Sequence, residues 1–395
     1  KAFDLGASPP GNDLYLSKNE SKKKNYPLIT LLCLDCGHLQ LSHKVDAKEL
    51  FQKQYTYVSG TSFIFREYLK NYADETCKEF KNKDNFSVLD IGSNDGTALG
   101  YFKEKGCSVL GIDPACEVVN LAINKGINTI PNFFNNKNAQ LIKKEYGSFD
   151  LITSHNTFAH VDDLKETFLS VKELLHSDSI FIFEVGYRLD VIKNFWFDTI
   201  YHEHIDYHAI YPLKKLLSRI GIKIFRVVRG TQQGGSIRLY CCLTTSKRQE
   251  EITVDQLIKK EKVEKLFDLK TYTNYYNHLK KIKLDLKEII SCYKNQNKSI
   301  VGFGVPTKAT TLMTFFDLNE DDIDYFVDEN SLKQNKFTPV GKIPILDAQK
   351  IINDYPDLII IFAWNFADSI ISKYEVLKKN NVKFLIPLPL PRIVN

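Results

Sequence analysis

Residues 88–102 read VLDIGSNDGTALGYF. A short apolar run enters a turn bearing Gly92 and Gly96, and helix-forming residues follow, the pattern of a strand that turns sharply into a helix. SVLDIG (87–92) reads as a buried strand and 97–105 as a helix. CSVLGID (107–113) is the next strand, closed by Asp113, 21 residues beyond Gly92, and a helix follows through Ala122. FDLITSHN (149–156) is a further strand ending in polar residues, then come a helix over 161–175 and the strand SIFIFEV (179–185). Strands alternating with helices predict an α/β fold with a doubly wound, Rossmann-like parallel sheet.

The same pattern restarts near the C-terminus. SIVGFG, a helix over 306–315, DYFVDEN and DLIIIFAW predict a second Rossmann-like unit over 298–395. Between the two units, 247–297 is rich in lysine and leucine at helical spacing and reads as a helical connector. Residues 1–60 differ, with the turn Pro9-Pro10-Gly11-Asn12-Asp13 followed by short strand-like runs. The expected division is therefore a small module over 1–60, a central domain over 61–246, the connector and the C-terminal unit. At 395 residues, 43% hydrophobic and 26% charged, the chain is long enough for two or three cores.

Lys+Arg exceeds Asp+Glu by only 53 to 48, and the lysines are spread out, which argues against nucleic acid as a partner. The run Lys22-Lys23-Lys24 reads as a solvated loop. No apolar run reaches the roughly 18 residues of a membrane span, and the first residues lack the pattern of a signal peptide. A cytoplasmic protein with no membrane partner is the expectation. The eight cysteines are scattered, which speaks against a disulfide framework.

Cys33-Leu-Asp-Cys36-Gly-His is a knuckle of the kind that supplies two zinc ligands. A closed structural site needs four, and no second CxxC stands nearby. Either the partner cysteines lie upstream of Lys1, which is the expectation, or the pair is a metal-free turn.

The two glycine turns read differently. A dinucleotide site prefers G-x-G-x-x-G, because the pyrophosphate approaches backbone amides at the helix start. Gly92-x-x-x-Gly96 departs from that and suits a ligand with no phosphate there, with Asp113 available to ribose hydroxyls. It looks like motifs I and II of class I S-adenosylmethionine-dependent methyltransferases; the alternative is a strand-turn-helix junction without a cofactor. In GFGVPTKAT (302–310), Gly302 and Gly304 are followed by Lys308 where a third glycine is expected, and Asp328 ends the next strand. Lys308 near a helix N-terminus can pair with a phosphate of a nucleotide diphosphate; a packing turn with a solvated lysine is the other reading.

FDTIYHEHIDYH (197–208) holds three histidines, a glutamate, two aspartates and two tyrosines. H-E-x-x-H would suggest a zinc protease, but H-E-H lacks two histidines four apart around the glutamate.

Taken in order, the CxxCG knuckle, VLDIGSNDG, SHNTFAH, FDTIYHEH, GGSIRLY, GFGVPTK, VDENSLKQNKF and FAWNF resemble the sugar C-methyltransferases that act on nucleotide-linked 4-keto-deoxysugars, over essentially the whole chain. The resemblance implies a zinc-type N-terminal module, a central S-adenosylmethionine-binding methyltransferase domain and a C-terminal Rossmann-like domain that helps hold the nucleotide sugar. It implies methylation of the carbon next to the C4 ketone, C3 favoured, of a nucleoside-diphosphate sugar, dTDP favoured. Carbon becomes nucleophilic only after losing a proton, so a general base and a donor to the enolate oxygen are needed. By resemblance His204 is the base, Glu203 orients or polarises the site, and Tyr201 hydrogen-bonds the enolate oxygen. His202 is expected to point away, as neighbours in an extended segment do.

The resemblance also assigns Asp90, Gly92, Gly96 and Asp113 to the methyl donor. It assigns Asn156, His160, Tyr57 (with Tyr55 second) and Lys308 to the substrate, and Cys33 and Cys36 to a structural zinc. A monomer is expected. The chain departs from the family at Gln233, where histidine is common, at Gly186, where proline is common, and in PVGKIPI (339–345). These departures predict an altered sugar or nucleotide preference. The rival readings are a sugar O-methyltransferase, with His204 deprotonating a hydroxyl, an NAD-dependent enzyme built on GFGVPTK, and a non-catalytic scaffold built around the cysteine knuckle.

Overall fold

A computed structural model describes residues 1–51, 58–80, 85–230 and 234–395. The strand Ser87–Ile91, which opens the glycine turn, lies in the middle of a seven-stranded sheet. On one side it pairs in parallel with Ser108–Asp113, which pairs with Thr129–Pro131. On the other side it pairs with Leu151–His155 and then Ile180–Gly186. Two long strands missing from the sequence reading, Ile222–Gly230 and Ser236–Leu243, complete that edge antiparallel to their neighbours. The expected all-parallel sheet is thus mixed.

Alternation explains why both faces are covered. Leu89 and Ile91 pack into the large cluster on one face while Val88 packs into the cluster on the other; Phe181 and Phe183 divide from Ile180 and Ile182 in the same way. A strand apolar on both sides must be sandwiched between helices, which is the doubly wound arrangement. The strand order reverses between Ser87–Ile91 and Leu151–His155, and in open α/β sheets ligands bind beyond the carboxyl ends of the strands at such a reversal.

The C-terminal sheet has the order Ile345–Asp347, Tyr325–Asp328, Ile300–Phe303, Leu358–Ile361, Lys383–Ile386, Arg392–Val394 and is parallel apart from the last pair. The N-terminal sheet is antiparallel: Phe3–Ser8, Tyr26–Leu32, Leu39–Leu41 and, from the central part of the chain, Asp206–Tyr207. That short fourth strand begins one residue beyond Tyr-His-Glu-His, after Ile205. No described helix is long and apolar enough to cross a membrane.

The lysine-rich segment does more than connect. Helix Leu269–Lys294 buries Tyr272, Tyr275, Leu279, Ile282, Leu286 and Ile290, residues three or four apart on one face. Phe3 of the N-terminal sheet packs on Tyr275 with ring centroids 5.3 Å apart, and Phe195 stacks on His278 at 3.9 Å. One apolar cluster runs through this helix from the N-terminal sheet to the C-terminal one.

Arg188, fully buried at the end of strand Ile180–Gly186, donates from Nη1 to the Gly37 carbonyl at 2.8 Å and lies over the Phe267 ring. Its charge faces the buried carboxylate of Glu261, which accepts from the Ile210 and Tyr211 amides at 2.7 and 3.0 Å. Arg188 Nε and Nη2 find no hydrogen-bond partner among the described residues, so the charge-assisted bond to Gly37 is its direct polar tie to the fold. Arg188→Leu is expected to lower unfolding stability by roughly 1.5 to 3 kcal/mol in denaturant titrations, the worth of a hydrogen bond from a charged group, with loss of the contact to the cysteine knuckle.

Candidate active site

Beyond the carboxyl ends of Ser87–Ile91 and Leu151–His155 opens a cavity of about 760 Å3, within the usual range for small-molecule sites. Asp90, Gly92, Ser93, Asn94, Asp113 and Ala115 line one end. Asn156, His160, Tyr201, Glu203 and His204 line the other, with Asn12 and Thr307 beside them.

The donor end is shaped by backbone that only certain residues adopt. Gly92 has φ +74°, and a Cβ there would run into the Thr157 hydroxyl. Its N–H donates to the Ile112 carbonyl at 2.8 Å, which draws the turn across the second strand. Asn94, at φ +52°, donates its N–H to Asp113 Oδ2 at 3.0 Å, and the Ala115 N–H donates to Asp113 Oδ1 at 2.9 Å. Ser59, at the end of the N-terminal stretch, donates its N–H to Asn94 Oδ1 at 2.8 Å and covers the turn.

Asp90 Oδ1 and Ser93 Oγ are buried without a hydrogen-bond partner among the described residues. Orphaned polar atoms of this kind at a cavity wall fit a polar guest. Burial, with Asp113 beside it, pushes the Asp90 carboxyl well above the ordinary carboxylate range, and burial raises Asp113 as well. The residues present therefore fit a methyl donor with polar amino-acid and ribose groups. Gly96 has a different place: at φ +72° it caps helix Thr97–Glu104 and packs against Ala122 and Ile127, outside the cavity lining.

At the other end, Tyr201, Glu203 and His204 come together through a turn in which the His204 N–H donates to the Tyr201 carbonyl at 2.9 Å. His204 Nδ1 lies 2.9 Å from the Thr199 carbonyl, so it carries the proton, and Nε2 accepts from the Tyr201 hydroxyl at 2.8 Å. His160 Nδ1 donates to the Glu203 carbonyl at 2.5 Å, and its ring lies 4.9 Å from that of His204. Burial, reinforced by His160, lowers His204 to about 3, so its imidazole is neutral across the physiological range. Burial also lowers His160. Glu203 is pushed up to about 7 by burial, against the opposing hydrogen bond from Asn12 Nδ2 at 2.8 Å.

His202 does lie outside the cavity, with Nε2 3.0 Å from the Tyr26 carbonyl. The reason differs from the expected one: the segment is a turn, and the ring is drawn into the N-terminal module. Asn156, at φ +58°, is held by its N–H donating to the Glu184 carbonyl at 2.8 Å. The Glu184 side chain is met by Arg238 Nε at 3.0 Å and Ser236 Oγ at 2.6 Å, which gives GGSIR a place in the wall behind the cavity.

Lys308 is not brought to the cavity. Its ammonium lies 3.4 Å from buried Asp198, donates to Asn365 Oδ1 at 2.6 Å and covers the Trp364 ring, while Trp364 Nε1 donates to Asp198 Oδ2 at 2.6 Å. Both Asp328 oxygens likewise accept backbone N–H groups, of Val305 and Asn330, so GFGVPTK is closed by its own chain. Tyr57 and Tyr55, and Gln233, lie outside the described residues.

Cys33 and Cys36 occupy a turn between Tyr26–Leu32 and Leu39–Leu41, closed by the Cys33 N–H donating to the His38 carbonyl at 2.8 Å. His38 itself is committed to Asp206, 2.6 Å away. Among the described residues no group of three or more His, Cys, Asp or Glu side chains could hold a metal. Two thiolates are half of a tetrahedral site, and the chemistry below does not pass through them. Asn12 and Thr307 carry no spacing signal in the sequence; only the tertiary arrangement brings them to Glu203.

Three family models match in succession: "Putative zinc binding domain" over residues 1–51, "Methyltransferase domain" over 63–227 and "C-methyltransferase C-terminal domain" over 231–389. The C-methyltransferase NovU of Streptomyces niveus is 27% identical over 392 residues, 99% of this chain and 93% of its own. Among solved structures, magnesium protoporphyrin IX methyltransferase (ChlM) from Synechocystis aligns at 16% identity over 48% of this chain and 90% of its own, with a TM-score of 0.37. A S-adenosylmethionine-dependent methyltransferase from Clostridium acetobutylicum aligns at 18% over 45% and 92%, with a TM-score of 0.38. With three modules matched in order over nearly all of its length and a relative along the whole chain, the chain belongs to the S-adenosylmethionine-dependent C-methyltransferases.

Proposed function

We propose that the enzyme methylates the carbon next to the C4 ketone, C3 favoured, of a nucleoside-diphosphate-linked 4-keto-deoxysugar, dTDP favoured, in the cytoplasm. One observation carries the reading: a single cavity joins the donor turn at Asp90, Gly92 and Asp113 to the acid-base turn at Tyr201, Glu203 and His204. S-adenosylmethionine, when bound, supplies an electrophilic methyl group. The protein's own part is to generate a carbon nucleophile and hold it within reach.

Nε2 of His204 bears the lone pair, and the Tyr201 hydroxyl occupies it. A ketone oxygen placed beside Tyr201 draws that hydroxyl away and accepts its hydrogen bond, which polarises the carbonyl and exposes Nε2 to the α-proton. Removing the proton leaves an enolate, whose carbon attacks the methyl group. Asn156 and His160 line the same wall and are assigned to the sugar. Lys308 receives no support as a diphosphate ligand from its position against Asp198, and the reading is carried without it.

One observation favours a second assignment of the base. Burial holds His204 at about 3 but Glu203 at about 7, and a base is most effective when its proton affinity lies near the working pH. In that version Glu203 takes the α-proton while Tyr201 and His204 together polarise the ketone.

The protein loaded with S-adenosylhomocysteine is expected to exchange the α-hydrogen of a dTDP-4-keto-deoxysugar for deuterium in D2O, read by mass spectrometry. If no deuterium enters any 4-keto sugar of a panel, the proposed substrate class is wrong. His204→Asn and Glu203→Gln identify the base: the substitution that removes it slows exchange by roughly a hundredfold or more, the usual worth of a positioned base.

Glu203 also predicts a pH dependence of stability. Its folded value of about 7 lies above the unfolded one near 4.5, so its neutral form suits the fold below about 4.5 and that benefit is lost as pH rises through about 7. Glu203→Gln stays neutral. Its stability relative to the parent is expected to rise between pH 5 and pH 8 by an amount on the order of 3 kcal/mol, measured by denaturant unfolding at each pH.

A further inference from the structure

Three segments distant in sequence meet at one side-chain amide. Asn12 Nδ2 donates to Glu203 Oε1 at 2.8 Å, and the Thr307 hydroxyl donates to Asn12 Oδ1 at 2.9 Å. The ionised form of Glu203 accepts from the NH2 end of the amide, which leaves Oδ1 to accept from the Thr307 hydroxyl. The carboxylate thereby sets which end of Asn12 faces it, and the Thr307 hydroxyl holds the amide in that orientation.

The loop bearing Asn12 is built for that contact. The Asp13 N–H donates to the Pro10 carbonyl at 3.2 Å, and the Leu14 N–H donates to the Asn12 carbonyl at 3.0 Å. A Cβ on Gly11 would run into the Thr307 carbonyl, so only glycine permits the approach. Thr310 donates to the Gly11 carbonyl at 3.3 Å, and Thr311 donates to the Ile200 carbonyl at 2.9 Å, one residue before Tyr201. All three threonines lie on helix Thr307–Phe316 of the C-terminal domain, which thus grips both the N-terminal loop and the acid-base turn.

From this geometry we infer that Asn12 is a positioning residue: it aims the Glu203 carboxyl into the cavity, Thr307 locks its amide, and the C-terminal domain acts on the chemistry through these two hydrogen bonds. The inference rests on the reading of Glu203 as an acid-base group and adds what governs it. An N–H donated to a carboxylate favours the charged form, so Asn12 also opposes the burial that keeps Glu203 protonated.

The test uses the full chain, first without substrate and then with the dTDP-4-keto-deoxysugar. Infrared difference titration reads the carboxyl C=O band, and the band that Glu203→Gln removes belongs to Glu203. In Asn12→Ala the midpoint of that band is expected to move to higher pH, a gain of roughly tenfold in proton affinity for the loss of one charge-assisted hydrogen bond. Thr307→Val is expected to move it the same way by less, and both variants should keep the parent's affinity for S-adenosylhomocysteine. The pH profile of α-deuterium exchange should move with the midpoint, which a merely structural role for Asn12 would not produce.

An unmoved midpoint in Asn12→Ala and Thr307→Val, with the band still removed by Glu203→Gln, overturns the inference and leaves the acid-base reading intact. If Glu203→Gln removes no titrating band, the acid-base reading fails and the inference falls with it. Should Asn12→Ala not fold, Thr307→Val decides alone, since it replaces one hydroxyl by a methyl of similar size.

Discussion

The turn Tyr201–His204 has no regular structure of its own, and the rest of the active site depends on its being held from three directions. The Ile205 N–H donates to the Ala159 carbonyl at 2.7 Å, which fastens the turn to the loop beyond Leu151–His155. Asp206–Tyr207 pairs with Leu39–Leu41, and Asp206 meets His38 at 2.6 Å, which fastens it to the N-terminal sheet. Thr311 reaches the Ile200 carbonyl from the C-terminal domain. An irregular segment inside a protein must find partners for its backbone outside itself, and here those partners belong to three different parts of the chain.

Holding the turn in this way also removes it from water, and that sets its electrostatics. Burial disfavours whichever form is charged, so it lowers the histidines and raises the carboxyls. His155 and His208, each brought to about 4, behave like His204, while Glu203 rises to about 7. An interior of neutral imidazoles beside a carboxyl near its midpoint can accept or return a proton without an exposed charge. Two of the charges near the site are paired: Arg238 with Glu184, Lys308 with Asp198. Asp198 stands three residues before Tyr201, so its pairing with Lys308 and Trp364 is another way in which the C-terminal domain seats the Tyr201–His204 turn.

Much of the central domain was legible because its signals are local. A short, mostly apolar run such as VLDI leading into a glycine turn reads as a buried strand, and Gly92 at φ +74° is what so sharp a strand-to-helix junction requires. Gly96 was legible as a turn residue but not in its role, since packing against Ala122 and Ile127 depends on where a later helix lies. The antiparallel pair Ile222–Gly230 and Ser236–Leu243 escaped notice because edge strands carry no helix between them to mark a parallel crossover. Lys308 shows the limit most plainly. Near a helix N-terminus it suited a phosphate, but the counter-charge that occupies it comes from Asp198, 110 residues earlier.

From sequence alone came the alternating strands and helices of both Rossmann-like units and the glycine turn with its acidic partner Asp113, set by residue type at short spacing, while Tyr201, Glu203 and His204 came as candidates from the family resemblance of their motif. Tertiary structure decided which of those side chains share a cavity, which imidazole nitrogen carries a proton, and that Asn12 and Thr307 stand between two domains and Glu203. The division has a physical reason. Backbone conformation and apolar periodicity are fixed within a few residues, whereas burial, hydrogen-bond direction and proton affinity depend on groups that only folding brings within about 3 Å of one another.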